Sequence, residues 1–220
     1  MKKPFVAICV PSKMDCKTPF AFSLASICHV TPIKIMLVRG ESSRSAAAAR
    51  NLALEKMETL EAMHGRADYT LWLDSDMEFP PETLGQLLSH DRDIVGASYL
   101  RRAEPHDLLG VPEEGAIQTT GLARFRRLPA GIMLVKRDVF DKVGRWTVYE
   151  DPDPKKCLGE DVIFCEKARA AGLEIWCDLD LTRKVTHWGD QGLVAKGEDS
   201  ELMIFEKPKS SIIRIGANGG

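Results

Sequence analysis

Two aspartates stand directly behind an apolar run in "YTLWLDSDMEFPPE", Tyr69 to Glu82, with only Ser75 between Asp74 and Asp76. Carboxylates that close repel, so something must offset the cost of placing them together. A turn can do so, because aspartate and serine side chains hydrogen-bond their own backbone ahead of a proline-rich helix start. A divalent ion can do so as well. Mg²⁺ and Mn²⁺ take hard oxygen ligands, and one or two carboxylates commonly share such an ion with nucleotide phosphates. Two later segments carry related chemistry. Glu160 and Asp161 open "GEDVIFCEKARAAG". Acids there stabilise a helix dipole by roughly 0.3–1 kcal/mol, or supply a general base. His187 in "VTHWG" is either a packed histidine or a nitrogen ligand.

The elements that must position these groups follow from the pattern of apolar residues. "FVAICV" reads as a buried strand that ends at Pro11-Ser12. A short helix through "PFAFSLASICH" and a strand "IKIMLVR" come next. "SAAAARNLALEKMETLEAMHG" is rich in helix formers, with serine at its start and Gly65 at its end. "YTLWL" is a third strand, "PPETLGQLLSH" a helix with proline in its first turn, and "DIVGASYL" a fourth strand. Residues 101–127 are irregular, a loop or small hairpin. "AGIMLVK", "RDVFDKVG", the helix from Gly159 and a final strand "LEIWCDLDL" complete the pattern. The tail beyond Lys207 is expected to be loose. Strands alternating with helices predict a mostly parallel α/β sheet, and such sheets bind ligands at the carboxyl ends of their strands. Asp74 and Asp76 lie at one such end.

Composition removes several other classes. Of 220 residues, 44% are hydrophobic and 28% charged, with a formal net charge of -2. That balance gives no basic excess for nucleic acid or an anionic membrane. No apolar run approaches the roughly 20 residues that span a bilayer. Pro11 and Lys13 interrupt the N-terminal run where a secretion signal would continue. None of the six cysteines forms a CxxC pair, which predicts reduced thiols and a cytoplasmic protein.

"LWLDSDMEF" resembles the DxD motif of glycosyltransferases of the GT-A fold, in a small family-2-like form of bacterial and phage type. Three further segments match that family in order. "LPAGIMLVKRDVFDKVG" resembles the strand and helix ahead of the acceptor loop, "LGEDVIFCEKARAAGLEIW" the ED segment, and "VTHWG" a C-terminal histidine. The likeness runs from about Phe5 to Gly189. It implies a Rossmann-like, single-domain GT-A fold over 1–207. It also implies transfer of a sugar from a UDP- or GDP-sugar donor to an acceptor hydroxyl.

Carried over residue by residue, the resemblance makes Asp76 a direct ligand of Mn²⁺ or Mg²⁺ and His187 a nitrogen ligand. Asp74 then meets the ribose or the ion's water shell. A nitrogen ligand tilts the preference toward Mn²⁺. Asp161, with Glu160 beside it, is the implied base of an inverting transfer. Pro11, Ser12, Ser75, Arg50 and Asn51 are the expected donor contacts, and Gly131 the point of close approach to the sugar. Arg101 and Arg102 follow a strand end and could meet phosphate or acceptor, and Trp146 could stack on an acceptor sugar or belong to the core. Other classes compete. Dehalogenase-type phosphoryl transfer expects its DxD on the first strand, followed by Gly-Thr, whereas Met77-Glu78 follow here. A sugar nucleotidyltransferase expects a Gly-rich loop after strand one, and "VPSKMDCK" has no glycine. A carbohydrate-binding protein that keeps the fold is the non-enzymatic alternative.

Overall fold

Phe5, Ala7 and Cys9 face one side of the first strand, β1 (Phe5–Ser12), and Val6, Ile8 and Val10 face the other. Both sides are buried. That is why the run is continuously apolar, since a strand covered on two faces shows no alternation. The computed structural model describes residues 3–13, 15–113, 119–189, 192–197, 203–207 and 211–214. β2 (Lys34–Glu41) and β3 (Tyr69–Leu73) flank β1 in parallel. β8 (Ile132–Lys136) runs antiparallel between β3 and β5 (Ile94–Gly96), and β9 (Ile175–Asp178) lies parallel to β5. β7 (Leu122–Arg127) and β6 (Val111–Pro112) close the far edge as an antiparallel pair. The sheet order is β2-β1-β3-β8-β5-β9-β7-β6, with β8 and β7 running against the other strands. The irregular segment thus contains two strands.

Helices cover both faces. α2 (Ala46–His64), α4 (Val139–Val143) and α5 (Glu160–Ala170) pack on the Trp72 side. α1 (Thr18–Val30), α3 (Thr83–Ser89) and α6 (Leu179–Thr182) pack on the Leu71 side. α2 begins and ends where its residues require. The Ser45 hydroxyl accepts the Ala48 N–H at 3.1 Å, and Gly65 ends the helix at φ 89°. Its seat against β2 depends on Gly40, where a Cβ would lie 1.9 Å from the Ala49 carbonyl oxygen.

A second, antiparallel sheet joins β4 (Met77–Glu78), β10 (Thr186–Trp188), β11 (Gly192–Gly197), β12 (Met203–Lys207) and β13 (Ser211–Arg214) in the order β13-β12-β11-β10-β4. Ser211–Arg214 pairs with β12. The final strand stops at Asp178, whose carboxylate accepts the Leu181 N–H at 2.8 Å and caps α6. The prolines of "PPE" likewise precede α3 rather than begin it. Among the described residues, no helix is long and apolar enough to cross a membrane. All six cysteines are free, and burial pushes the thiols of Cys9, Cys165 and Cys177 up to about 12.

Candidate functional site

The carboxyl ends of β1, β2 and β3 open on a cleft of about 500 Å³. Pro11, Ser12, Asp74, Ser75 and Asp76 line it. Lys13, Lys17, Arg44 and Arg102 add positive charge. The Lys17 N–H donates to the Ser75 carbonyl at 2.9 Å, which fixes the loop after β1 against the loop after β3. Arg39 Nε donates to Ser12 Oγ at 2.8 Å.

The two aspartates have different partners. Asp74 accepts at 2.9 Å from Nη2 of Arg50, whose Nε donates to Glu160 at 3.2 Å. Arg50 is only 2% exposed. Its guanidinium lies 5.1 Å and 5.7 Å from the ring centroids of Trp146 and Trp72. Burial works against its charge, but Asp74 and Glu160 outweigh burial and raise its pKa. Nη1 is buried with no hydrogen-bond partner among the described residues. Burial pushes the Asp74 carboxyl above the ordinary range, despite the downward pull of Arg50.

Asp76 instead faces Arg102 and His187. Arg102 Nη1 is 2.8 Å from Asp76 Oδ2, and His187 Nε2 is 3.7 Å from the same oxygen. Burial would raise this carboxyl, but His187 and Arg102 outweigh it and hold it below the ordinary range. His187 arrives by strand pairing, since β10 sets it opposite Met77 and the Trp188 N–H donates to the Asp76 carbonyl at 2.8 Å. His187 Nδ1 is 2.7 Å from the Leu100 carbonyl oxygen. A carbonyl only accepts, so the hydrogen-bond network assigns the proton to Nδ1. In the neutral ring, the Nε2 lone pair therefore faces a carboxylate oxygen. A proton on Nε2 or a cation between the two atoms would satisfy that contact, and a backbone-anchored Nδ1–H is the usual partner of a metal-bound Nε2. Asp76 and His187 are oxygen and nitrogen donors of the kinds that Mg²⁺ and Mn²⁺ accept.

Of the three residues expected around the metal, Asp74 is turned onto Arg50, while Asp76 and His187 face each other. Among the described residues, no cluster of three His, Cys, Asp or Glu groups is arranged to hold a metal.

Asp161 stands in the first turn of α5 and accepts the Val162 N–H at 2.7 Å. Burial, and then Glu160, raise its carboxyl. Glu160 is committed to Arg50. Three other expectations take different places. Asn51 clamps Trp146 through both its N–H and its carbonyl, at 3.0 and 2.8 Å, outside the cleft lining. Trp146 is 1% exposed and belongs to the core, so it offers no face to a sugar. Gly131 approaches Tyr99, not the cleft: a Cβ there would lie 2.4 Å from the phenol oxygen, which accepts the Gly131 N–H at 3.0 Å.

Tyr99 escaped the sequence reading. Its ring meets His187 edge-on at 4.8 Å, and burial beside Asp74 and Asp161 pushes its phenol well above the usual value. No sequence signal marks it, since it reads as one more residue of an apolar strand. Lys13 and Lys17 did carry a signal, as cations just past the first strand.

No protein-family model matches the chain, and no curated protein matches it in sequence. The structure of A197 from STIV is similar over 98% of this chain and 100% of that one, with a TM-score of 0.58 and 16% identity. A glycosyltransferase involved in the glycosylation of the major capsid of PBCV-1 matches over 63% of each chain, with a TM-score of 0.35 and 13% identity. At that distance the second likeness bears on neither fold nor activity. The first is a likeness of fold, and the architecture is a Rossmann-like GT-A arrangement: one central sheet, most of its strands running the same way, flanked by helices.

Proposed function

We propose that the protein is a metal-dependent glycosyltransferase moving a sugar from a UDP- or GDP-sugar to an acceptor hydroxyl. One observation carries this reading. The cleft at the ends of β1, β2 and β3 gathers Pro11, Ser12, Asp74, Ser75 and Asp76 beside basic side chains. The sequence resemblance to GT-A enzymes assigns these positions to a nucleotide donor.

Asp76 and His187 Nε2 are the proposed ligands of Mn²⁺ or Mg²⁺, with Mn²⁺ favoured by the imidazole. When bound, the ion supplies positive charge to the departing diphosphate. Asp74, tethered by Arg50, is left to orient the ribose or the water around the ion. Asp161 acts as the base. It takes the proton of the acceptor hydroxyl as that oxygen attacks the anomeric carbon and the bond to the diphosphate breaks, with inversion. Glu160 supports this role indirectly, through its charge beside Asp161 and its bond to Arg50.

The test is incubation with a panel of nucleotide sugars and Mn²⁺. Slow hydrolysis of one donor supports the reading. Glycan binding without any nucleotide binding would overturn it in favour of a carbohydrate-binding protein.

A further inference from the structure

Arg102 is bound to the oxygen that the proposed cation must also use. Its Nη1 sits 2.8 Å from Asp76 Oδ2, the atom His187 Nε2 faces at 3.7 Å. Two positive charges cannot share that oxygen without strong repulsion at such range. The guanidinium and a divalent ion therefore compete.

The backbone around Arg102 is held, whereas its side chain is half exposed at the cleft. Leu100 is buried, bridges Leu108 and accepts the His187 proton. The Arg101 N–H donates to the Asp107 carbonyl at 2.9 Å. The Arg102 side chain is 51% exposed and lines the cleft. Released from Asp76, it would still border the cleft that it lines. Asp74, the neighbouring acid of the pair, is already bound to Arg50.

We infer that Arg102 exchanges partners during donor binding: the divalent ion takes Asp76, and the released guanidinium clamps the donor's diphosphate. A planar fork of N–H donors matches phosphate oxygens and gives bidentate, charge-assisted bonds. Arg102 is thus a placeholder for the cation before donor binding and a leaving-group contact after it. This rests on the proposed donor site.

The two halves of the exchange predict opposite signs in one variant. Mn²⁺ alone, titrated into the full chain by calorimetry or electron paramagnetic resonance, should bind Arg102→Ala about two- to fivefold more tightly than the wild type, because a competing ion pair is gone. With Mn²⁺ saturating, UDP or GDP should bind the same variant about tenfold or more weakly, because a charge-assisted contact is lost. Arg102→Lys keeps the charge without the fork and should fall between the two in both titrations.

Equal or weaker Mn²⁺ binding by Arg102→Ala overturns the exchange, as does undiminished nucleotide binding. Failure of the wild type itself to bind either nucleotide with Mn²⁺ overturns the donor site, and this inference with it. Wild-type binding with no difference in the variant overturns the inference alone.

Discussion

At Asp161, burial and the neighbouring Glu160 raise the carboxyl; at Asp76, His187 and Arg102 outweigh burial and lower it. Opposed shifts in the two acids separate their roles. A lowered Asp76 favours the ionised form that the proposed cation site needs, and a raised Asp161 is the better proton acceptor that the proposed base needs. The base must be ionised to work, so activity is lost as pH falls through the folded value of Asp161. The acid limb of kcat/KM should therefore lie above the ordinary aspartate value of 3.8, which a pH–rate profile measures. Asp161→Asn should lower kcat by about 10²–10⁴ while Mn²⁺–nucleotide affinity is retained. A variant with wild-type turnover would remove Asp161 from the chemistry. Arg50 makes a different prediction. Arg50→Ala leaves Asp74 and Glu160 without their shared counter-charge and should cost roughly 3 kcal/mol in urea unfolding. Unchanged stability would show that water replaces the guanidinium. The acids at the strand end were legible from residue type alone. That Arg50 would claim one of them was not, because a helical arginine reads the same whether solvated or buried.

Pairing between β4 and β10 brings His187 beside Asp76, through the register His187 to Met77. Neither strand carries a strong local signal, and each is only two or three residues long. α2 is the opposite case. Its cap residues and helix formers define it locally, and the observed bounds Ala46–His64 follow them. Where it packs depends on Gly40, so Gly40→Ala should destabilise the fold by about 1–3 kcal/mol or more through overpacking, read from the denaturation midpoint. A wild-type midpoint would mean that α2 can shift outward freely. Gly131 connects an element to the site. Its added methyl would displace Tyr99, whose ring supports His187. Gly131→Ala should weaken Mn²⁺ binding in a folded protein, and unchanged Mn²⁺ affinity would detach Tyr99 from the cation site.

Across the whole molecule, the cleft lies where the parallel strands β1, β2 and β3 end on the same side of the sheet. Chelation should abolish turnover, and Mn²⁺ should restore it better than Mg²⁺; full activity in excess chelator would rule out a metal-dependent transfer. The sequence by itself determined the order of most strands and helices, and the clustering of Asp74 and Asp76 at a strand's carboxyl end. Those are local facts: side-chain periodicity, capping and turn chemistry act over a few residues and leave a readable pattern. The tertiary structure decided the rest. It split the aspartates between Arg50 and Arg102, consigned Asn51 and Trp146 to packing, turned Gly131 toward Tyr99, and set His187 opposite Asp76. Each of those outcomes depends on groups far apart in the chain and on which of several charged partners burial brings nearest. A linear sequence states neither.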